Sequence, residues 1–128
     1  MIRNTKQREI VLSVIKEAAR PLSPAEIHQL AISIQPGIGL KTVYRHVNHL
    51  VDTHQIAGVD YPAQPLRYEI IDDRGSRPHL ICRACNKVFD LPIEEPKIEY
   101  PKLGDFKISG YEVVFFGTCK NCLKQNNE

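Results

Sequence analysis

Four cysteines occur in two pairs of the same spacing, each with two residues between its members. The first pair is Cys82 and Cys85, the second is Cys119 and Cys122, and 33 residues separate the pairs. Two Cys-x-x-Cys pairs together supply four thiolates, which is the ligand set of a tetrahedral structural zinc site. Because four protein ligands leave no open position for a substrate, the pattern predicts a structural metal and not a catalytic one.

Two other uses of these cysteines are compatible with the spacing. They could be unrelated redox pairs or buried thiols, and the same four sulfurs could also hold iron. The doubled spacing favours zinc over both alternatives. A metal would matter here because the C-terminal part of the chain is small, and a structural zinc supplies an apparent binding free energy of roughly 10–16 kcal/mol.

The composition is that of a globular protein. Of 128 residues, 42% are hydrophobic and 25% are charged, which fits one ordinary domain or two small ones. No apolar run approaches the roughly 20 residues of a membrane span, and the N-terminal MIRNTKQREI lacks the apolar core of a signal peptide. We therefore expect a cytoplasmic protein whose cysteines stay reduced, with no membrane partner. The net charge of +2 does not by itself indicate a nucleic-acid partner.

The first half of the sequence predicts three helices. The first covers residues 5–19, with Thr5 as its cap. The second begins at Ser23, which forms a capping box with Glu26 and is followed by Pro24 at the first helical position. The third covers residues 40–53, after the break at QPGIG. The predicted buried stripes are Ile10, Val11, Val14, Ile15 and Ala18; Ile27, Leu30, Ala31 and Ile34; and Val43, Val47, Leu50 and Val51.

The second half has the composition of strands. QIAGVDY and LRYEII are short β-prone segments and predict a hairpin, and HLIC, KVFDL and YEVVFF predict three further strands. Three prolines between residues 92 and 101 permit at most a short helix there. The polar, turn-rich IDDRGSRP places a domain boundary near residues 72–77. The predicted fold class is α+β, a winged helix-turn-helix followed by a small α/β domain with a four-cysteine zinc site.

The third predicted helix has side chains suited to DNA. In a winged helix-turn-helix the third helix enters the major groove. Lys41 and Arg45 offer cations to phosphates or guanine, and Thr42 and Tyr44 offer hydroxyls and apolar contact to thymine methyl groups. An ordinary solvated helix face would carry similar residues, so periodicity alone does not decide. His54 falls on the apolar face, where we expect it to be packed.

The chain resembles the ferric uptake regulator (Fur) family. The motifs TKQREIVL, LSPAEIHQL, KTVYRHVNHL, RYEI, HLICRAC and GTCKNC occur in the order and spacing of that family over nearly the whole chain. The resemblance implies a dimeric, metal-responsive bacterial transcription factor, with a winged-helix DNA-binding domain in residues 1–72 and a zinc-containing dimerisation domain in residues 73–128.

The same resemblance implies roles for individual residues. Tyr44 and Arg45 would read bases, and Arg8 would contact the DNA backbone or minor groove. The residues that match the structural zinc ligands of the family are Cys82, Cys85, Cys119 and Cys122. A two-fold dimer also implies an operator with two-fold symmetry.

The family's second, regulatory metal site is matched only in part. Glu69 and His79 occupy two of its expected ligand positions, whereas Arg20 and Arg77 occupy two positions where histidines are expected. Arginine stays protonated and cannot ligate a metal. Three interpretations remain open: His79 makes a structural hydrogen bond at a strand start; a relocated site recruits a third ligand such as His28; or one or both guanidiniums balance Glu69 and replace the metal.

Two rival function classes are weaker. An enzyme would need Glu69 and His79 to flank a catalytic zinc, and the sequence offers neither an open site in the cysteine quartet nor a nucleophile elbow or P-loop. A zinc-stapled dimeric interaction protein without DNA-binding activity is the alternative, and the presence of Tyr44 and Arg45 argues against it. The sequence does not indicate the operator or the effector.

Overall fold

The structure is a computed structural model that describes residues 2–71 and 77–126. The chain divides into two compact units, Met1–Asp73 and Arg74–Glu128. The predicted boundary segment lies mostly at residues 72–76, outside the described residues. The elements of the first unit are α1 (Ile2–Ala18), α2 (Pro24–Ile32), α3 (Leu40–Asp52), β1 (Ile56–Val59) and β2 (Arg67–Ile70); those of the second are β3 (His79–Cys82), β4 (Val88–Asp90), β5 (Val114–Gly117) and α4 (Lys120–Asn126).

Helix α1 begins earlier than its sequence predicted. It runs from Ile2, so Thr5 lies inside the helix and the prediction that Thr5 caps it is wrong. The residues before Thr5 include no proline or glycine, and nothing in them stops the helix from extending toward the chain start. The helix ends at Ala18, and Ala19 follows with a φ of 53° in the left-handed region.

Helix α2 begins where the capping box predicted. The backbone N–H of Glu26 donates to Ser23 Oγ at 3.2 Å, and the N–H of Ser23 donates to Glu26 Oε1 at 3.1 Å. Pro24 occupies the first turn, where its missing N–H costs nothing. The capping box is confirmed, and it fixes the direction in which α2 leaves the preceding segment.

The buried stripe of α2 is narrower than predicted. Ile27 and Ala31 are fully buried, whereas Leu30 is 45% exposed and Ile34 is 57% exposed. The helix ends at Ile32, so Ile34 lies beyond it and no longer follows the helical period. Leu30 lies beside the buried row and not in it, because the face that this short helix buries is formed by Pro24, Ile27 and Ala31.

Helix α3 buries the predicted stripe and one further residue. Val43, Val47 and Leu50 are fully buried, and Val51 is half-buried. His46 is buried as well, with 4% of its surface exposed. It lies three residues after Val43, so it falls on the same face of the helix.

His54 is not packed, and that prediction is wrong. It is exposed and has a φ of 59°, because it is the left-handed residue that ends α3. The N–H of the following residue, Gln55, donates to the carbonyl of Leu50 at 2.9 Å, as in a Schellman motif. The left-handed turn reverses the chain and takes the His54 side chain off the apolar face.

The predicted hairpin is present and is tied to the helices. Strands β1 and β2 pair antiparallel, with Ile56 opposite Ile70. Leu22, just before α2, pairs with Tyr68 on β2 through two backbone hydrogen bonds of 2.9 and 2.8 Å. The hairpin therefore forms the wing of a winged helix-turn-helix. The core of this unit is Ile10, Val11, Val14, Ile15, Leu22, Ile27, Ala31, Ile38, Val43, Val47, Leu50, Ile56 and Tyr68.

The second unit contains the three predicted strands and one helix that was not predicted. The strand order is β4-β3-β5, with β3 antiparallel to β4 and parallel to β5. Helix α4 has the sequence KNCLKQN, which is too short and too polar to show an apolar period. The α+β fold class is confirmed. Among the described residues, none of the helices combines the length and the apolar character that crossing a membrane requires.

Candidate metal centre and nucleic-acid interface

The four cysteines meet at one edge of the sheet in the second unit. Cys82 is the last residue of β3, and Cys85 follows it in the next turn. Cys119 lies just after β5, and Cys122 lies in α4. Because β3 and β5 are parallel, with Cys82 opposite Gly117, their carboxyl ends lie side by side. One sulfur atom from each of the four residues lies within 4.8 Å of the others.

The sulfur cluster has the dimensions of a tetrahedral metal site. Cys85 Sγ and Cys119 Sγ are 3.8 Å apart. Zinc–thiolate bonds of about 2.3 Å place the corners of a regular tetrahedron about 3.8 Å apart. The donor set therefore fits zinc in both chemistry and size. The buried cluster of this unit consists of Cys82, Cys119 and Cys122, with Cys85 and Phe89 packed against them. Ile81 and Val88 are buried as well, outside that cluster.

Backbone amides favour negative charge on one sulfur in particular. The N–H groups of Cys119 and Cys85 donate to Cys82 Sγ at 3.3 and 3.5 Å. These hydrogen bonds lower the pKa of Cys82 to about 6. Hydrogen bonding to the Cys119 thiol, together with burial, raises the pKa of Cys122 to about 12. Four sulfurs this close cannot all be anionic without a cation between them, which is the condition that a divalent metal satisfies.

The outer face of α3 carries the predicted DNA contacts. Lys41, Tyr44 and Arg45 are exposed, and Thr42 is half-buried. The opposite face of the same helix is in the core, so the helix has one face fixed and one face open to a ligand. Gly39 precedes the helix without a side-chain cap. The first turn also contains no acidic residue that would compete with a phosphate.

Arg8 lies beside α3 although it belongs to α1. Its Nη1 is 3.2 Å from Nε2 of His49. Arg8 is half-buried, and His49 is exposed on α3. The contact joins residues that are 41 positions apart in the chain, so no local pattern could have predicted it.

His46 is a buried residue of α3 that the sequence did not place on the apolar face. Its Nε2 is buried and has no hydrogen-bond partner among the described residues. Burial lowers the pKa of His46, and the neighbouring cations Arg45 and Arg8, together with His49, lower it further. Its spacing of three from Val43 was the signal that could have placed it on the buried face.

The residues proposed for a regulatory metal lie in different units. Glu69 is half-buried on β2, opposite Ala57 of β1. His79 is the first residue of β3, and its Nε2 is 2.8 Å from Oδ1 of Asp90, the residue opposite it on β4. A carboxylate is a common partner for a histidine ring nitrogen, in structural pairs as in metal sites.

Arg20 is anchored inside the first unit. Its Nη2 donates to Oε2 of Glu26 at 2.8 Å, and Arg67 Nε lies 3.8 Å from the other oxygen of the same carboxylate. Burial raises the pKa of Glu26, but the hydrogen bonds from Arg20 and from the Ser23 backbone and the charge of Arg67 outweigh it, so the pKa is lowered overall. The carboxylate therefore serves as the capping-box acceptor and as the partner of two cations.

Arg77 and His28, the other residues considered for this site, also have defined surroundings. Arg77 is half-buried at the start of the second unit, and its Nε has no hydrogen-bond partner among the described residues. His28 Nε2 donates to the carbonyl of Ile38 at 3.0 Å, which closes the turn between α2 and α3. A ring nitrogen that donates in this way carries a proton and is not available as a ligand.

The fold and the sulfur cluster together define a winged-helix protein with a four-cysteine metal site. The Ferric uptake regulator family matches residues 1–116, and the chain belongs to that family. The ferric uptake regulation protein of Helicobacter pylori strain J99 is 30% identical over 98% of this chain and 85% of its own length. That of Campylobacter jejuni is 26% identical, over 97% of this chain and 82% of its own length.

Solved structures agree with this membership. The ferric uptake regulator of Helicobacter pylori, described as having three functional metal binding sites, matches with a TM-score of 0.62 and 26% identity, over 92% of this chain and 80% of its own. A zinc-bound manganese uptake regulator matches with a TM-score of 0.69 over 88% of this chain and 87% of its own, and at 17% identity it shows the fold alone. The family consists of metal-responsive, DNA-binding transcriptional regulators, so the prediction that this protein is not an enzyme is confirmed.

Proposed function

We propose that the protein regulates transcription as a homodimer that binds a two-fold symmetric operator through α3, with zinc held by its four cysteines. The observation that supports DNA binding best is the division of α3 into two faces. Val43 and Val47 fix one face in the core, while Tyr44 and Arg45 project from the other. A recognition helix needs this arrangement, because its base contacts are only as precise as its anchorage.

Each proposed DNA contact has a distinct chemical task. Arg45 can donate two hydrogen bonds to guanine O6 and N7, and Tyr44 can contact a thymine methyl group with its ring. Lys41 and Thr42, in the first turn, suit phosphate oxygens. Arg8 adds a cation from α1, suited to the backbone or the minor groove. Residues 1–72 are thus the proposed DNA-binding domain of a cytoplasmic regulator.

Zinc is proposed as a structural ion in residues 73–128. The ligands would be Cys82, Cys85, Cys119 and Cys122, which belong to β3, the turn after it, the end of β5 and α4. A bound zinc neutralises the sulfur charges and joins these elements, and it leaves no position open for an effector. We propose the same residues as the dimerisation domain, whose fold depends on the ion.

The regulatory site is proposed to be atypical or lost. Two positions that the family pattern gives to histidines are arginines, and Arg20 is engaged by Glu26. Glu69 and His79 are the ligands that remain from that pattern. Neither Arg20 nor Arg77 fits a metal site, because a guanidinium has no lone pair to offer a metal ion. A guanidinium that balances the charge of Glu69 would replace the dication. The protein would then bind DNA without an added effector, or in response to a different signal.

The test of DNA binding compares two substitutions that each remove one positive charge. Arg45→Ala lies on the outer face of α3, and Lys16→Ala removes an exposed cation from α1 as the control. Operator binding by Arg45→Ala should weaken by roughly 1–3 kcal/mol and lose discrimination at one base position per half-site. The Lys16→Ala protein should bind like the wild type. Equal affinities for all three proteins, or no salt-dependent binding to any duplex, would leave the zinc-stapled interaction protein as the better hypothesis.

The test of the regulatory site is a metal titration. Zinc-replete protein is titrated with Fe(II), Mn(II) and Zn(II) while operator affinity is measured. We expect no large change in affinity. A large rise that His79→Ala abolishes would instead show a working regulatory metal site, with His79 among its ligands.

A further inference from the structure

We propose that His49 is a positioning residue that holds Arg8 ready for DNA, and that it does so only while its ring is neutral. The inference rests on the proposed function, since it takes Arg8 as a DNA contact. It adds a residue that touches no base or phosphate itself and makes the strength of DNA binding depend on pH.

The hydrogen bond between Arg8 and His49 can run in only one direction. Arg8 Nη1 and His49 Nε2 are 3.2 Å apart. A guanidinium has donors only, so Nε2 must accept and the ring proton must be on Nδ1. A protonated imidazole has no lone pair on Nε2 and cannot take this role. The bond therefore exists only with neutral His49.

The hydrogen bond restricts the Arg8 side chain before DNA binds. A free arginine side chain loses rotamer entropy when DNA binding fixes it. Arg8 is fixed in part before DNA arrives, because α3 supplies the acceptor. The guanidinium also keeps other N–H groups with which to reach a phosphate or a base edge. His49 thus places the α1 cation at the helix that is proposed to enter the groove.

The contact between Arg8 and His49 should contribute to DNA affinity more than to the stability of the fold. The contact is exposed, and exposed polar pairs contribute little to folding. Helices α1 and α3 are joined by buried apolar residues, among them Val11, Ile15 and Val47. Removing the His49 ring should therefore change DNA affinity more than it changes the unfolding temperature.

The charged groups near the His49 imidazole are mainly cations. Cations dominate one side of it, since Arg8 faces it from α1 and Arg45 lies four residues before it on α3. Protonation would set a third positive charge against them and push Arg8 away. Several other ionisable side chains belong to α3 and to the elements packed against it. Among the side chains that the structure describes, these are Lys6, Glu9, Lys16 and Glu17 on α1; Lys41, Tyr44, His46 and Asp52 on α3 itself; and Glu26 and His28 on α2, which bond to Arg20 and to the carbonyl of Ile38; β1 (IAGV) has none.

The experiment measures operator affinity for the wild type, Arg8→Ala, His49→Ala, His49→Gln and the Arg8→Ala/His49→Ala double variant. At pH 8, His49→Ala should bind roughly 3- to 10-fold more weakly than the wild type. The double variant should bind no more weakly than Arg8→Ala alone. His49→Gln is the conservative control, because its amide oxygen reaches about as far as Nε2 and accepts at any pH.

Acidification supplies the decisive comparison. Histidine changes charge between about pH 5 and 8, and glutamine does not. Lowering the pH from 8 to 6 should therefore reduce wild-type affinity relative to His49→Gln by a few-fold. Both proteins retain His46, so its titration acts on both affinities. Unfolding temperatures measured in parallel should agree among the variants.

Several results would overturn the inference. They are a ratio that stays constant or rises on acidification, an affinity of His49→Ala equal to that of the wild type, a His49→Gln protein as weak as His49→Ala, and losses that add in the double variant. If Arg8→Ala binds like the wild type, Arg8 is not a contact and the inference is wrong. Arg45→Ala then reports separately whether α3 binds DNA at all.

Discussion

The two units of the protein differ in the side chains that form their buried clusters. The first unit has a connected core of thirteen residues from three helices, the hairpin and the segments on either side of α2, and all of them are apolar or aromatic. In the described part of the second unit, the buried cluster is three cysteines, with Cys85 and Phe89 packed against them. The same unit leaves Phe106 at 72% and Phe116 at 56% exposed. One unit is stabilised by packing, and the other is built around four sulfur atoms.

This difference indicates where each unit obtains its stability. Apolar burial scales with area and needs no ligand, so a winged helix can keep its shape whatever the metal supply. A small sheet with few buried side chains has little apolar area to draw on. For such a unit, metal binding and folding are one equilibrium. Under the proposed function, the DNA-binding unit would keep its fold without an ion, and the proposed dimerisation unit would depend on one.

Removing one cysteine sulfur from the cluster should produce the largest loss of stability, in the second unit. Cys119→Ser deletes a ligand from the cluster, and the coupled free energy of folding and zinc binding is roughly 10–16 kcal/mol. We expect the second unit to lose bound zinc, ordered strands and dimerisation, while α1 to α3 keep their amide protection. Hydrogen exchange followed residue by residue measures both units in one sample. Thr118→Ser, the exposed neighbour, is the control and should keep the metal.

One result would contradict this account of the second unit directly. A Cys119→Ser protein that is stable, dimeric and free of metal would show that the sheet does not need the cluster. The comparison between the units would then fail, and the exposed aromatic residues would have to be covered by something other than metal-dependent assembly.

Deleting apolar volume should have the next largest effect, now in the first unit. Ile27 is fully buried in its core, and Ile27→Ala should lower the free energy of unfolding of that unit by about 2–5 kcal/mol. Leu30→Ala on the same helix is the control, since Leu30 is 45% exposed, and it should cost much less. Urea unfolding followed by helical circular dichroism measures both. Equal losses would mean that α2 is packed differently from the structure.

Local signals in the sequence were sufficient where one residue decides an outcome. The capping box at Ser23 fixed the start of α2, because its two hydrogen bonds join residues three apart. Thr5 failed as a cap, since nothing before it stops a helix. Leu30 and His54 failed for a related reason: apolar spacing says which face a residue shares, but not how wide the contact is or where a left-handed residue ends it.

Most contacts between residues far apart in the chain could not be predicted from the sequence. The spacing of the cysteines was enough to group them, because each pair follows a strand and parallel strands end at one edge. The Arg8–His49 bond joins two helices and has no such signature. The Glu26 carboxylate accepts from Ser23, which the capping motif predicted, and it pairs with Arg20 and Arg67, which belong to no such motif.

The smallest expected effect is a dependence of the free energy of unfolding of the first unit on pH. Burial, then the charges of Arg45 and Arg8, and then His49 lower the pKa of His46 below its usual 6.5. The unfolded chain therefore binds a proton at higher pH than the folded unit does. The stability that comes from a neutral His46 is fully present above about pH 6.5 and is lost as the pH falls from there toward the lowered pKa. One proton changes the free energy of unfolding by at most about 1.4 kcal/mol per pH unit.

This slope can be measured with an exposed histidine, His54, as the control. Urea unfolding of the first unit at pH 8, 7, 6 and 5.5 should show stability falling in the acid range for the wild type and for His54→Gln, whose altered residue is exposed. His46→Gln should show a shallower fall, whatever its stability at pH 8, because the buried group no longer takes up a proton. Parallel curves for all three proteins would mean that another group carries the dependence. Glu26 does not share this window: its pKa is lowered from 4.5, so its contribution persists down to that pH and is lost only as the pH falls further.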